Sequence, residues 1–361
     1  MKILIFQDYL RSGGTERQSV FLANAFAKEG HETSLTTFRP RGPLASTIAP
    51  EVTHHVLQPF DTRCDWFAPG LCSYIEENPA DIILCMGRMA NCYGQGIMKE
   101  VQDRWPNTAV IGTMRTGKPL PWLFRFSLKH VHHIVANSRA AKSHLETRYS
   151  IDPTKISVVA NSLVFTEPPS ADIRSQLRAT HGADENTTVL LDVAMFRPEK
   201  NQRALIEIAA KLPADFPWQL WLVGDGAALE SCKTLAQKLA VTDRVKFHGL
   251  RSNPTPYYAA ADLAVHASQS ESLSNFLIEA QAHGLPAIAY AAQGVDECFL
   301  PDDTGISIPL GEQAPFRDAI QQLASPDEAR RERARTFAHN SFDPRKQVKA
   351  YLDLFARLTS S

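Results

Sequence analysis

The sequence predicts an α/β protein of two tandem domains, each built on a parallel sheet that is covered by helices. Short apolar runs alternate with stretches of helical spacing, which is typical of βα units. The alternation stops near residues 167–187, which are rich in Pro, Ser, Thr and acidic residues, and then starts again. The length of 361 residues also favours two domains of roughly 150 residues each. We therefore expect domains at 1–165 and 188–340, a linker at 166–187 and a final helix within 341–361. The alternative within the linker is a short helix at Asp172–Thr180.

The N-terminal βαβ unit is the clearest of these patterns. Lys2–Phe6 is an apolar run that predicts a buried strand, and Ser12–Gly14 predicts the turn after it. Thr15 and Gln18 have the spacing of a capping box, which predicts that a helix begins there. Ser34–Phe38 is the next strand, so the two strands are expected to be parallel.

The rest of the chain continues the alternation. Further strands are predicted at Asp81–Met86, Ala109–Thr113, His133–Asn137, Ile156–Ala160, Val189–Met195, Gln219–Val223, Arg244–Phe247, Leu263–His266 and Ala287–Tyr290. Helices are predicted between them, and the last two lie at Asp327–His339 and Pro344–Leu358. Doubly wound sheets bind ligands at the carboxyl ends of their strands, so functional residues are expected in the loops that follow strands.

The composition excludes two classes of protein. Hydrophobic residues make up 44% and charged residues 21% of the chain, which rules out a disordered protein. A net charge of −1 argues against a protein dominated by nucleic-acid binding.

We expect a cytoplasmic protein, because the apolar start is too short for a signal peptide and no run approaches the roughly 18 apolar residues of a membrane span. The six cysteines form no C-x-x-C pair and predict free thiols rather than disulfides or a zinc site.

Two groups of residues after predicted strands suit a phosphorylated sugar ligand: one offers cations for phosphate, and the other offers carboxylates that accept hydrogen bonds from sugar or ribose hydroxyls. Met195–Asn201 places Arg197 and Lys200 just beyond the first strand of the second domain, where two cations can hold a diphosphate. Glu271 and Glu279 are separated by seven residues and flank the start of a predicted helix, whose free N–H groups can also bind phosphate. The alternatives are a solvated basic loop and two unrelated surface glutamates.

Glycine-containing loops follow other predicted strands. Gly13 and Gly14 lie between the first strand and the first helix, and Gly224 and Leu250 lie in loops after two strands of the second domain. Glycine lets a ligand approach the backbone closely, and backbone groups in such loops can contact a nucleobase. Each loop by itself can equally be a tight βα turn, and the G-x-G-x-x-G pattern of dinucleotide-binding proteins is absent.

In this order, the motifs resemble those of retaining, nucleotide-sugar-dependent glycosyltransferases of family 4, which have the GT-B fold of two Rossmann-like domains. The resemblance covers nearly the whole chain. It rests on Gly13–Arg17, Ala136–Ser138, Arg197–Asn201, Val223–Gly226, Glu271–Glu279, Glu279–Pro286 and Gln293–Glu297. It implies two domains that face each other across a cleft, with the C-terminal helix returning to the N-terminal, acceptor-binding domain.

The resemblance also implies a role for each motif. Arg197 and Lys200 are expected to bind the donor diphosphate and stabilise the leaving group, and Glu271 is expected to contact the donor sugar. These three are the expected catalytic residues. Glu279 is expected to hold the ribose hydroxyls. The other expected donor-binding residues are Gly13, Gly14, Gly224, Leu250, Leu273, Ser274 and Asn275.

One departure from the family lies in the first domain. Many members carry a histidine near the donor sugar, after the strand that ends here at Thr113, whereas this sequence continues Met114-Arg115-Thr116. It resembles a subgroup with arginine there, several members of which build bacterial surface glycans. Arg115, Arg17 and Arg88 are therefore expected to contact the donor sugar or the acceptor, with ordinary surface arginines as the alternative.

Catalysis is expected to need neither a metal nor a cofactor. The sequence has no D-x-D motif to bind a metal–diphosphate complex, and cationic side chains with a helix N-terminus can stabilise a leaving diphosphate instead. The nucleotide sugar is a substrate rather than a cofactor. Retention of configuration is implied by the resemblance alone.

Residues 104–145 predict a membrane-facing surface. This stretch has no Asp or Glu, but contains seven Lys or Arg residues and four His residues. Pro121–Phe126 adds aromatic side chains beside cations, which suits the headgroup region of an anionic membrane. We expect peripheral contact with the inner face of the cytoplasmic membrane through residues 115–130. The alternative is that the aromatic side chains belong to the core and the cations bind a substrate.

The expected activity is transfer of a hexose or N-acetylhexosamine from a UDP-linked donor to a glycan or lipid-linked acceptor, in bacterial surface polysaccharide or lipopolysaccharide synthesis. An epimerase of the same fold and a non-catalytic nucleotide-sugar-binding scaffold are the alternatives.

The two halves of the chain differ in charge. Residues 1–160 hold 18 Lys and Arg against 14 Asp and Glu, whereas the remainder holds 20 against 25. The basic first domain suits an anionic acceptor or membrane, so a diphosphate site in the acidic second domain must be locally basic.

Overall fold

The structure, a computed structural model, describes residues 1–163 and 171–360. The chain folds as two units. Unit 1 consists of Met1–Ser162 and Pro344–Ser361, and unit 2 consists of Leu163–Asp343. Each unit is an α/β fold on a parallel sheet, so the predicted fold class is confirmed.

Unit 1 is built on a sheet in which every pair of neighbouring strands is parallel. Its strands are β1 (Lys2–Gln7), β2 (Glu32–Thr37), β3 (Thr53–Val56), β4 (Ile82–Cys85), β5 (Ala109–Met114), β6 (His133–Ala136) and β7 (Ile156–Val158). The strand order is β3-β2-β1-β4-β5-β6-β7. Helices on both faces bury the central strands, which is why those strands are nearly continuous apolar runs. The helices are α1 (Gly14–Lys28), α2 (Leu71–Glu77), α3 (Arg88–Gln102), α4 (Trp122–His130) and α5 (Arg139–Tyr149).

Unit 2 repeats this architecture. Its strands are β8 (Thr188–Val193), β9 (Trp218–Val223), β10 (Val245–Gly249), β11 (Leu263–His266), β12 (Ala287–Tyr290) and β13 (Gly305–Ile308), in the order β10-β9-β8-β11-β12-β13. The helices are α6 (Ala171–Thr180), α7 (Gln202–Ala209), α8 (Leu229–Lys238), α9 (Thr255–Ala260), α10 (Asn275–Ala282), α11 (Gln313–Leu323) and α12 (Glu328–Ser341). Apolar residues of the strands and of α7, α8 and α11 form the core on one face of this sheet.

The strand order reverses once in each sheet. The reversal lies between β1 and β4 in unit 1 and between β8 and β11 in unit 2. Loops that follow the two strands at such a point lead to opposite faces of the sheet, which leaves a crevice at the carboxyl ends of the strands. We call these two places the switch points, and they are where ligands bind in doubly wound folds.

The last helix of the chain, α13 (Pro344–Thr359), packs on unit 1. Its Tyr351 and Phe355 are fully buried and contact Phe26 of α1, with ring centroids 6.0 and 5.4 Å apart. At its start, Gln347 accepts a hydrogen bond from the Ser162 hydroxyl. The chain therefore leaves unit 1 after Ser162, forms unit 2, and completes unit 1 with its last helix.

The predicted capping box at Thr15 and Gln18 is wrong. Helix α1 begins at Gly14 with Gly13 as its N-cap, and no side chain caps it. Gln18 is buried and donates to the backbone oxygen of Ser162 at 2.6 Å, and it accepts a hydrogen bond from Gln347. A buried amide must be hydrogen-bonded, and here the bonds are made with distant segments rather than with the helix start.

Part of the predicted linker at 166–187 is a folded element of unit 2. Residues 164–170 lie outside the described residues, but α6 follows them directly. Arg174 and Arg178 of this helix donate to the two carboxylate oxygens of Asp262, which precedes β11. Both arginines also donate to backbone oxygens at the end of α9, so α6 is anchored to the sheet of unit 2.

Candidate active site

The loops after β8 and β11 meet at the switch point of unit 2. A 3₁₀ turn, Pro198–Lys200, follows β8. The backbone N–H of Gln269 donates to the backbone carbonyl oxygen of Glu199 at 2.8 Å, and the Ser268 hydroxyl donates to the same oxygen. These bonds hold the two loops together, although they are far apart in sequence.

Four ionisable side chains form a chain of hydrogen bonds at this place. Lys200 Nζ donates to Glu271 Oε1 at 2.5 Å. His266, the last residue of β11, lies with Nε2 2.8 Å from the same Glu271 oxygen and with Nδ1 2.9 Å from Asp192 Oδ1. We call Asp192, His266, Glu271 and Lys200 the switch-point network. The structure thus brings together two of the three predicted catalytic residues.

Each charged side chain in the switch-point network stabilises the ionised form of its neighbour. Burial opposes ionisation of Glu271, but Lys200 and His266 outweigh it and lower the pKa of Glu271 to about 2. Burial likewise opposes the charged form of His266, but hydrogen bonds to Asp192 and Glu271 raise its pKa above the ordinary value. A buried charge is stable only when it is paired and hydrogen-bonded, and the signs alternate along this network.

Arg197 is not brought into the network. It is the N-cap of the 3₁₀ turn, and its side chain is exposed. The neighbouring Phe196 is fully buried in the core of unit 2. The role of Arg197 at the diphosphate stays a prediction, whereas Lys200 has a defined position.

The predicted helix start after Glu271 is the start of α10. Ser274 is its N-cap, but the Ser274 side chain makes no cap hydrogen bond. Leu273 and Ser274 are buried, and Asn275 is half-buried. A helix start without a side-chain cap is the arrangement in which backbone N–H groups can bind an anion.

Glu279 lies about one turn inside α10 and is half-buried. Tyr258 of α9 donates its hydroxyl to Glu279 Oε2 at 2.5 Å. The Tyr258 ring stacks on His283, with centroids 5.0 Å apart and an interplanar angle of 7°. The stacked tyrosine therefore fixes the orientation of the carboxylate that is predicted to hold a ribose.

The loop after β9 packs tightly against the loop after β8. Gly224 and Gly226 have φ values of 146° and 148°, and a Cβ at these positions would collide with the backbone oxygens of Ala194 and Phe196. Glycine is required at both positions by this close approach. Leu250, which follows β10, is 68% exposed and stays a predicted donor contact.

The other predicted glycines and arginines lie in unit 1. Gly13 is the N-cap and Gly14 the first residue of α1, and Arg17 lies exposed in the next turn. Arg88 is the first residue of α3 and is also exposed. These four residues therefore lie at the starts of the helices that follow β1 and β4, beside the switch point of unit 1.

Arg115 has a structural position. It donates to Asn161 Oδ1 at 2.5 Å and to the Tyr351 hydroxyl at 2.7 Å. Asn161 adjoins the point where the chain leaves unit 1, and Tyr351 lies in α13. The guanidinium thus joins the end of β5 to the last helix, and its contact with the donor sugar or the acceptor stays a prediction.

Asp8, which the sequence analysis does not single out, lies at the switch point of unit 1. Its carboxylate accepts hydrogen bonds from the backbone N–H groups of Met89 and Ala90 at 2.9 and 2.7 Å. Burial raises the pKa of Asp8 to about 7, although the two N–H groups act in the opposite direction. A Cβ at Gly87 would collide with this carboxylate. The start of α3 therefore already holds a carboxyl group of the protein itself.

Two features are absent from residues 1–163 and 171–360, a metal-binding cluster and a membrane-spanning helix. No group of three or more His, Cys, Asp or Glu side chains in these ranges is placed to hold a metal ion. No helix in these ranges combines the length and the apolar character that crossing a bilayer requires.

The fold and the site define a GT-B protein with two Rossmann-like units. Residues 12–163 match the family model of glycosyltransferase family 4, and residues 173–341 match that of glycosyl transferases group 1. The two matches leave out only 1–11, 164–172 and 342–361. The chain belongs to this family of glycosyltransferases.

Named relatives of this chain are glycosyltransferases or glycosyl-transferring synthases. N-acetyl-alpha-D-glucosaminyl L-malate synthase of Bacillus anthracis is 29% identical over 237 residues, which are 64% of this chain and 61% of that protein. Lipopolysaccharide core biosynthesis glycosyltransferase LpsE of Rhizobium meliloti is 30% identical over 51% of this chain and 53% of its own length. The chain thus spans roughly half to three fifths of the length of these curated relatives.

Two solved structures share the whole fold. Anabaena Alr3699/HepE in complex with UDP superimposes with a TM-score of 0.82 at 20% identity, over 99% of this chain and 100% of that chain. WaaG, a glycosyltransferase involved in lipopolysaccharide biosynthesis, superimposes with a TM-score of 0.74 at 18% identity, over 98% and 99%. At these identities the likeness shows a common fold.

Proposed function

We propose that this protein is a glycosyltransferase that moves a hexose or N-acetylhexosamine from a UDP-linked donor to a glycan or lipid-linked acceptor, in synthesis of a bacterial surface polysaccharide or lipopolysaccharide. The observation that carries the proposal is the Lys200–Glu271 ion pair at the switch point of unit 2, beside the uncapped start of α10. The names of the relatives in lipopolysaccharide synthesis and the UDP complex of the Anabaena protein support the substrate classes.

Unit 2 binds the donor in this proposal. Lys200 and the start of α10 hold the diphosphate, with Arg197 as a second cation, and Glu279 holds the ribose hydroxyls. Glu271 accepts hydrogen bonds from the donor sugar, and the loops that contain Gly224 and Leu250 contact the base. These groups place positive charge where the leaving diphosphate develops negative charge, which is the largest contribution that a protein makes to such a transfer.

The sugar is transferred with retention of configuration. The bond from the anomeric carbon to the diphosphate oxygen breaks, and a bond to the acceptor hydroxyl oxygen forms on the same face of the sugar. The departing phosphate oxygen takes the proton of the acceptor hydroxyl. Unit 1 binds the acceptor in this proposal.

Ligand screening and product analysis test the function. We expect UDP-sugars to raise the melting temperature more than GDP- or ADP-sugars, because a ligand that binds the folded state stabilises it. Incubation of the stabilising UDP-sugar with a bacterial lipid extract is expected to release UDP and label the lipid fraction. The same donor without acceptor is expected to give only slow hydrolysis. Conversion of the donor to an epimer without acceptor would instead show an epimerase.

Removal of divalent metals is expected to leave the transfer rate unchanged. Lys200 and the helix start supply the positive charge that a metal supplies in other transferases. Transfer is measured after dialysis against EDTA, and again after Mg²⁺ or Mn²⁺ is added back. Loss of activity in EDTA with rescue by either metal would contradict metal-independent catalysis.

We also propose that unit 1 contacts an anionic membrane through an exposed face of α4, which we call the α4 patch. Trp122, Leu123 and Phe126 are exposed large apolar side chains, with the exposed cations Arg125 and Lys129 beside them. The Trp122 and Phe126 rings lie 6.3 Å apart on one side of the helix. Exposed aromatic side chains that adjoin cations suit the headgroup region.

Phe124 differs from the other aromatic side chains of α4. Phe124 is buried in the core of unit 1, together with Ser127 and Leu128 on the same face. The α4 patch therefore includes Trp122 and Phe126 but not Phe124.

The double variant Trp122→Ser/Phe126→Ser is expected to bind vesicles with anionic lipid at least about tenfold more weakly than the wild type, because both interfacial side chains are lost. Binding of the wild type is expected to weaken as salt is raised from about 0.05 to 0.5 M, because salt screens the cations. Cosedimentation with phosphatidylglycerol vesicles measures both effects.

The control is Phe60→Ser/Trp66→Ser, which removes two other exposed aromatic side chains from a loop that contains Asp61 and Asp65. This control is expected to bind vesicles like the wild type. Equal losses in the two variants, or no binding by the wild type at low salt, would rule out the α4 patch.

A further inference from the structure

A histidine and a lysine share one oxygen of Glu271. Both hydrogen bonds to this carboxylate end on Oε1, from Lys200 Nζ at 2.5 Å and from His266 Nε2 at 2.8 Å. An isolated ion pair needs one donor on that oxygen, and Glu271 has two. Glu271 therefore keeps one positive partner when the other bonds elsewhere.

The two donors differ in how firmly they are held. The Lys200 side chain is 25% exposed, and its flexible stem begins in a loop. The His266 side chain is 1% exposed, ends a buried strand, and is hydrogen-bonded through its other nitrogen to Asp192, which is also 1% exposed. The Phe276 ring, 5.3 Å from the imidazole, lies against it. Lys200 can therefore turn toward a ligand, while His266 cannot.

We propose that His266 is a positioning residue: its imidazolium, fixed by Asp192, keeps Glu271 anionic and in place when Lys200 leaves it for a ligand phosphate. This proposal rests on the proposed function in one respect, namely that Lys200 and Glu271 act on the donor. Without His266, the departure of Lys200 would leave a buried carboxylate with no positive partner, which is costly and favours protonation. A protonated Glu271 would lose the charge that accepts bonds from sugar hydroxyls.

The groups that face the network from neighbouring elements do not replace His266. The charged groups that are hydrogen-bonded to the Glu271–His266 pair are Asp192 and Lys200. Two buried thiols lie next to the network, Cys298 near Glu271 and Cys232 near Asp192. Beyond them, Asp296 and Glu297 face Cys298, and Arg203 faces Cys232 rather than Glu271. Burial raises the pKa of both thiols, that of Cys232 to about 11, so they are neutral at physiological pH. His266 is therefore the group in this set that can offset the charge of Glu271 after Lys200 has moved.

Carboxyl ¹³C NMR of Glu271 in the full chain tests this assignment with two variants. Lys200→Met imitates the departure of the lysine, and we expect Glu271 to stay ionised at pH 6.5 because His266 remains. In Lys200→Met/His266→Gln we expect Glu271 to be protonated at pH 6.5, since burial then raises its pKa and neither positive partner is present to lower it. A protonated Glu271 in the single variant, or an ionised Glu271 in the double variant, overturns the proposal.

The control is Lys200→Met/His181→Gln, in which the replaced histidine lies beside Trp221 and His248 rather than beside a carboxylate. This control is expected to match Lys200→Met. If the double variant does not fold, the imidazole ¹⁵N spectrum of the wild type decides. His266 is expected to carry protons on both ring nitrogens from pH 6 to 8, whereas burial lowers the pKa of His248 to about 3 and that of His283 to about 4, so these rings carry one. A single proton on His266 over this range overturns the proposal.

These measurements separate the two proposals. The spectra report the protonation of Glu271 and His266 whether or not the protein transfers sugar. Absence of sugar transfer with the expected spectra would refute the proposed function and keep the assignment of His266 as the counter-ion. Sugar transfer together with spectra that contradict the expected protonation of Glu271 or His266 would refute the assignment of His266 and keep the proposed function.

Discussion

Deletion of residues 344–361 is expected to unfold unit 1 and to leave unit 2 folded. Helix α13 supplies Val348, Tyr351, Leu354 and Phe355 to the core that covers one face of the first sheet. Complete burial of one such side chain contributes about 1.5–3 kcal/mol, so the four together approach the whole stability of an ordinary domain, about 5–15 kcal/mol. Hydrogen exchange measured by mass spectrometry is expected to show loss of protection in β1, β4 and β5, with β8, β9 and β11 unchanged.

Two point variants make the same test without truncation. Phe355→Ala is expected to lower the free energy of unfolding of unit 1 by about 3–5 kcal/mol, since it leaves a cavity beside Phe26. Asp353→Ala, on the exposed side of the same helix, is expected to change it by less than about 0.5 kcal/mol. Unchanged protection of β1 and β4 in the truncated chain would show that α13 is dispensable for unit 1.

Lys200→Ala is expected to lower kcat/KM for sugar transfer by about 10²–10³-fold, as the loss of one group that stabilises the leaving oxygen does in other enzymes. The fall is expected mainly in kcat, because the charge on the leaving diphosphate grows in the transition state. Stability is expected to change little, since Glu271 keeps its bond to His266. Steady-state kinetics with the UDP-sugar selected by the thermal screen measures both constants.

Lys238→Ala is the matched control for Lys200→Ala. This lysine is exposed at the end of α8 in the same unit and forms no ion pair within the described residues. Its variant is expected to turn over like the wild type. Near-wild-type turnover by Lys200→Ala would show that this lysine does not stabilise the leaving group.

Most of the fold could be predicted, because strand and helix alternation is a local signal. The buried central strands such as β1, β4 and β9 are continuous apolar runs bounded by polar turns. The edge strands β3 and β13 gave no such signal. β3 reads Thr-His-His-Val and is at most half-buried, and β13 is likewise an edge strand, that of the second sheet. An edge strand need not be apolar on both faces, so its sequence resembles that of a loop.

The site could be predicted in part. Lys200 and Glu271 were found because each lies in a recognisable motif just after a strand. Asp192 and His266 were missed because their partners are distant in the chain, 74 residues apart for this pair. A signal was nevertheless present, since each is a polar residue near the end of an otherwise apolar strand, where switch-point residues occur.

An error arose where a side chain bonds to distant segments rather than to its neighbours. Gln18 has the spacing of a helix cap but bonds to Ser162 and Gln347. The bonds of Arg115 to Asn161 and Tyr351 could likewise not be predicted from its position after a strand, while its substrate contact stays a prediction. Both belong to the contacts that secure α13. Sequence spacing cannot reveal such use, because the partner is brought near only by the completed fold.

The position of α13 has a consequence for the order in which the chain folds during synthesis. Residues 1–162 leave the ribosome first, but the helix that covers one face of their sheet is made only after all of unit 2. At about 5–20 residues per second, that face stays uncovered for on the order of 10–40 s. Unit 2 is continuous and can complete its core during this interval. The unit that emerges first is therefore the last to finish folding, and its exposed apolar face is the surface at which a nascent chain of this protein is most prone to aggregate.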